Sequence, residues 1–139
     1  MEVKEVALTW QKKDEAFVEL ADLLNAQCAI MIEQKAIDDA RRTTERALAI
    51  KVPLPDREQQ QLARNLSQLG SLLGAQGKTA QAVSCLEEAR KRYTQLSGAD
   101  RVEVARCLAE LAALYRSEGR ERDADTVERQ RKALQIGSS

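Results

Sequence analysis

Histidine is absent from this 139-residue chain, which removes the general base of a Ser-His-Asp triad and a principal zinc ligand. Aromatic residues make up only 3%, too few for the stacking platform on which single-stranded nucleic acids bind. Net charge is missing as well. The 22 Lys plus Arg balance 22 Asp plus Glu, so no long-range field gathers nucleic acid or anionic lipid. No apolar run approaches the length of a bilayer span, and the start Met1-Glu2-Val3-Lys4-Glu5 is not that of a signal peptide. The expectation is a soluble cytoplasmic protein with neither nucleic acid nor membrane as partner. Glycine-rich phosphate loops, Walker patterns and His-Glu metalloprotease motifs are also lacking. Adjacent Asp38-Asp39 and Glu87-Glu88 would point about 100° apart on a helix and are read as solvated faces. No catalytic residue, metal site or cofactor is therefore expected. The three cysteines, Cys28, Cys85 and Cys107, show no metal-ligand spacing and are read as buried or partly buried free thiols of a reducing compartment.

What the chain does contain is helix-forming material. Ala, Leu, Glu, Arg and Gln abound, and no β-branched run has strand length. Residues 1–52 contain neither glycine nor proline, so that stretch can be helical with one break near Lys35-Ala36-Ile37-Asp38. Pro53 and Pro55 mark a first linker and Ser97-Gly98 a second. Gly77 and Gly119 fall where a helix must turn through a left-handed residue. The pattern predicts helices over 14–34, 37–51, 57–76, 79–95, 101–118 and 121–135. Asp14, Asp56 and Asp100 each precede an apolar-periodic segment, as an N-cap does. Ahead of these helices, Val3, Val6, Ala7 and Trp10 recur at helical spacing, predicting an N-terminal helical extension over 1–13, either continuous with the next helix or packed outside it. Trp10 is read as covering the end of the first repeat, with a role as an exposed ligand anchor as the rival.

The positive signal of most consequence is a repeat. Starting units at Ala21, Ala63 and Ala105, 42 residues apart, places Leu24, Leu66 and Leu108 at the fourth position and Ala40, Ala82 and Ala124 at the twentieth. The second unit adds Leu69-Gly70, Leu73, Gly77, Leu86 and Ala89; the third adds Leu111-Ala112, Tyr115 and Gly119. The first keeps Ala47-Leu48 but has Gln27-Cys28 and Lys35 at the matching offsets. Small residues flanked by large apolar ones at helical spacing are what closely crossing helices need. Units that cannot bury their apolar face alone stack into a solenoid.

These residues resemble the tetratricopeptide repeat, a helix-turn-helix unit whose pattern includes Leu-Gly, Tyr, Gly and spaced Ala. The 42-residue spacing, longer than the family's usual ~34 residues, and the run Glu45 to Lys51 are similar to the kinesin light chain type of repeat. The resemblance spans residues 14 to 135. It implies an all-α, single-domain solenoid over 1–139 with three repeats at about 14–55, 56–97 and 98–135. It also implies that first helices line a concave groove. At the positions involved stand Asp22, Asn25, Ala26, Ala29 and Ile32; then Arg64, Ser67, Gln68, Ser71 and Gly74; then Arg106, Ala109, Glu110, Ala113 and Arg116. From these, Asn25, Arg64, Ser67, Gln68, Ser71, Arg106, Glu110 and Arg116 are the candidate ligand contacts. Arg64 and Arg106 share one repeat position and should stand one above the other, offering forked donors to carboxylates. The alternative for the arginines is plain helix-surface pairing, such as Arg106 with Glu110 at i,i+4. Positions that the family packs against a following repeat are Thr44 and Ala47, then Leu86 and Ala89, then Glu128 and Arg131. Two charges in a dry interface cost heavily, so the last helix is read as a solvated cap.

The expected function is a non-catalytic scaffold that binds a protein or peptide segment in its groove. The rival is a self-association module, in which the worn first repeat and the N-terminal helix bury against a second copy as a homodimer or dock onto the rest of a longer protein. An enzyme fragment is a distant third.

Overall fold

A computed structural model describes residues 3–136 of the chain, with side chains from Lys12 to Leu134. Because nothing in the first 34 residues interrupts helical hydrogen bonding, α1 runs unbroken over Val3–Glu33, 31 residues. The N-terminal extension is thus continuous with the first repeat helix. Asp14 consequently lies inside α1 and caps nothing, since a cap serves only where a helix begins. The side chain of Trp10 lies outside the described residues.

Five further helices follow: α2 Ile37–Leu48, α3 Asp56–Ala75, α4 Thr79–Thr94, α5 Arg101–Ser117 and α6 Glu121–Ile136. Among the described residues there are no strands. Helices α1 and α2, α3 and α4, and α5 and α6 form hairpins; α1 also packs on α3 and α3 on α5, while α2 contacts α3 and α4 contacts α5. This is an all-α helical solenoid. Helix α2 ends three residues before its expected limit. Pro53 restricts the residue before it to extended conformations, and Ile50 leaves the helix to pack against the core.

One turn geometry recurs in all three hairpins. Lys35, Gly77 and Gly119 have φ of 58°, 79° and 76°, and the N–H of the next residue donates to a carbonyl five residues back. These bonds run from Ala36 to Met31 at 2.9 Å, Lys78 to Leu73 at 3.0 Å and Arg120 to Tyr115 at 2.8 Å. They close the helix ends with the Schellman pattern. Close approach then sets what the crossings tolerate. A Cβ on Gly70 would stand 2.7 Å from Leu86 Cγ and 3.3 Å from the Ala82 carbonyl oxygen, so only glycine permits α3 and α4 to meet there. The equivalent Cys28 fills the α1–α2 crossing, its Sγ 3.2 Å from Thr44 Oγ1. Ala40, Ala82 and Ala124 are each fully buried.

Helix α3 shows a second departure from the sequence expectation. Pro55 holds the N-cap position, in extended conformation, and Asp56 is the first helical residue. Its carboxylate faces the positive end of the helix dipole and caps no backbone N–H. Asp100 does act as an N-cap, accepting from the Val102 N–H at 2.9 Å and the Glu103 N–H at 3.4 Å. At the far end, α6 packs on α5 alone among the described helices. Glu128 and Arg131 pair with each other there at 2.7 Å while still partly open to solvent, and the Arg131 guanidinium holds the Glu128 carboxyl below its ordinary range.

Candidate functional site

The inner faces of α1, α3 and α5 line one groove. Its larger cavity, about 530 Å³, is lined by Ile32 and Glu33 of α1, by Arg64, Ser67, Gln68, Ser71 and Leu72 of α3, by Tyr93 of α4, and by Glu103, Arg106 and Glu110 of α5. An adjoining cavity of about 330 Å³ shares Glu33, Arg64 and Gln68 and adds Asn25, Ala26, Ala29, Gln61 and Asn65. Six of the eight candidate residues therefore meet in the first cavity and Asn25 in the second. Arg116 lines neither and lies 4.0 Å from Glu121 at the far end of α5.

Burial separates these residues into walls and floor. Arg64, Gln68 and Arg106 are exposed. Asn25 and Ser67 are 3% and 8% exposed and belong to the packing. The Asn25 side-chain amide donates to the Glu58 carbonyl at 3.2 Å, and Asn65 donates to the Asn25 carbonyl at 2.9 Å. The two amides thus tie α1 to α3. Asn25 Oδ1 and Gln61 Oε1 are left buried without a partner, beside the second cavity that both residues line. Tyr93, 3% exposed, forms part of the floor, and burial pushes its hydroxyl pKa upward.

The charges are arranged differently from the sequence expectation. Arg64 reaches across to α5 and pairs with Glu103, Nε to Oε1 at 2.8 Å, so its fork is partly spent within the protein. Glu110 accepts from Ser71 Oγ across the same gap, and no Arg106–Glu110 ion pair forms. Among the described residues Arg106 makes no ion pair, which leaves its guanidinium available. Glu33, Glu103 and Glu110 accompany the two arginines in the lining, giving the groove mixed charge.

Sequence reading missed Glu103, Glu33, Gln61, Asn65 and Tyr93. Glu103 falls in the first turn of α5, two residues ahead of the unit boundary at Ala105, outside the positions assigned to the groove. Tyr93 comes from a second helix, a source that a first-helix rule omits. The only signal for the Arg64–Glu103 contact was the wide separation of two opposite charges, which many other pairs share.

No cysteine is among these lining residues, and all three are free thiols. Among the described residues no three side chains of metal-ligating type gather, and no helix is long and apolar enough to cross a membrane. The chain matches no curated protein. A family model for the tetratricopeptide repeat matches residues 19–95 and, in a second overlapping register, 61–136.

Proposed function

Because the chain belongs to the tetratricopeptide repeat family, whose repeats are in general protein-interaction modules, we propose that its concave groove binds a protein or peptide segment without catalysis. The observation that carries this reading is the continuity of the lining across α1, α3 and α5, with one guanidinium, that of Arg106, uncommitted at its edge. An extended segment laid across the three helices meets small or polar side chains that leave room for its backbone. Gln68 offers a donor and an acceptor along that path, Ser71, whose proton goes to Glu110, offers an acceptor, and Arg106 offers a forked donor to a carboxylate or to backbone carbonyls. With Arg64 held by Glu103 and three acids in the wall, a strongly acidic ligand fits less well than one of mixed charge.

The test begins with affinity capture on the purified chain, followed by calorimetric titration of the enriched peptide. Arg106→Glu is the informative variant. It reverses the free guanidinium and disturbs no ion pair, and it should weaken binding about tenfold or more, the scale of a hydrogen bond to a charged group. Circular dichroism should remain helical. An unchanged dissociation constant in the folded variant would place the binding surface off the groove.

A further inference from the structure

Helix α1 carries large apolar side chains on the face turned away from α3. Leu20, Leu23 and Ile30 are 37%, 56% and 54% exposed. With the exposed Ala16 and Gln27 they recur every three or four residues, forming one stripe. Phe17, 44% exposed, flanks it. The 42-residue register shows what these positions do elsewhere. Leu20, Leu23 and Gln27 correspond to Leu62, Asn65 and Leu69 of α3, which are 1%, 4% and 0% exposed. Two of the three corresponding residues of α5, Cys107 and Leu111, are fully buried. Helices α3 and α5 are each packed on both helices of the preceding hairpin, α1 and α2 for α3 and α3 and α4 for α5, and Asn65 of this face bonds the Asn25 carbonyl of α1. On α1 the same face has the composition of an inter-repeat interface and no helix upon it among those described.

We infer that this stripe of α1 is a self-association surface, covered by the same stripe of a second copy in an antiparallel, two-fold pair. Two observations select that occupant. Among the described side chains, the far end of the solenoid sets Glu128 and Arg131 on α6 where the inner repeats have Leu86 or Thr44 and Ala89 or Ala47. Head-to-tail stacking would bury that charge pair, whereas a two-fold contact uses one patch twice. The stripe is also self-complementary. Turned antiparallel about an axis near Leu23, it sets the large Ile30 against the small Ala16 and brings exposed Lys12 opposite exposed Glu33. The pairing does not require the groove ligand; Glu33 also lines the groove, whereas Leu23 and Ile30 lie outside it, so substitutions at those two positions test the pairing independently of the groove reading.

Sedimentation velocity across a concentration series, with light scattering, decides the matter. The wild-type chain should run as a dimer that dissociates on dilution. Leu23→Asp should raise the dimer dissociation constant at least about tenfold with an unchanged helical spectrum; if that variant fails to fold, Ile30→Glu on the same face serves in its place. Lys12→Glu and Glu33→Lys should each weaken the dimer, and their combination should restore it. A wild-type chain that stays monomeric at the highest concentrations overturns the proposal, as does a dimer indifferent to the apolar substitution. A dimer lost with Leu23→Asp but not restored by the charge swap overturns the antiparallel register. A full-length protein that is monomeric because an additional segment of its own chain occupies the stripe would equally overturn the second copy as occupant.

Discussion

At the residue scale, one backbone conformation is imposed at three turns, two of them on glycine and one on a residue with a side chain. Gly77 and Gly119 occupy the left-handed region, and Lys35 is held in it at φ 58° by the same hairpin geometry. A residue with a Cβ pays roughly 1–2 kcal/mol for that conformation. Lys35 is exposed and makes no ion pair among the described residues, so replacing it removes little besides the strain. Lys35→Gly should therefore stabilise the chain by about 1 kcal/mol, after the extra freedom glycine gains in the unfolded state is deducted. The check is a rise in the urea midpoint with unchanged slope; a fall would mean that Lys35 makes contacts which outweigh the strain. This position was legible in the sequence, because the 42-residue register sets Lys35 against two glycines. The local chain around it, which lacks glycine and proline, gave no sign that a left-handed turn occurs there.

At the element scale, three aspartates that look alike in the sequence have three different roles. Asp14 lies within a continuous helix, Asp56 follows a proline that holds the cap position, and only Asp100 bonds the free N–H groups of its helix. Removing a true N-cap costs about 1 kcal/mol. Asp100→Ala should cost that much, while Asp56→Ala and Asp14→Ala should stay within about 0.5 kcal/mol, the range of ordinary surface changes. Chemical denaturation of the three variants side by side gives the comparison, and equal losses would contradict these assignments. Helix existence and number were readable from the periodicity, and ten of the twelve helix ends fall within one residue of where the sequence places them. The start of α1 and the end of α2 were less accessible. The first depends on the absence of any interrupting residue before Asp14, and the second on Ile50 gaining more by packing on the core than by extending the helix.

At the scale of the whole molecule, stability should fall in alkaline solution. Burial pushes the Cys85 thiol up to about 11 and the Cys107 thiol up to about 12, from an ordinary 9.0. Cys28, Tyr93 and Tyr115 are shifted upward too, chiefly by burial. In each case the folded state holds the proton more tightly than the unfolded chain does. The stabilisation is complete below the unfolded thiol value and is lost as pH rises from there through the folded values. Urea midpoints should be flat up to about pH 8 and decline towards about pH 11, and Cys107→Ala should make that decline shallower. A midpoint constant over the alkaline range would show that these groups ionise equally well in both states. The sequence by itself determined the solenoid, because a 42-residue recurrence of Leu, Ala and Gly forces each hairpin to bury its apolar face on the next. The family resemblance pointed to α1, α3 and α5 as lining helices but not to Tyr93 of α4. Only the tertiary structure decided which groove charges are free: Arg64 and Glu103 lie 39 residues apart and meet because α3 and α5 stack side by side. It likewise decided that Asn25 and Ser67 belong to the floor and that Arg116 lies away from the cavities. Repeat position fixes the face a residue takes, but its partner is set by the distance and tilt between helices, which depend on all the side chains packed between them.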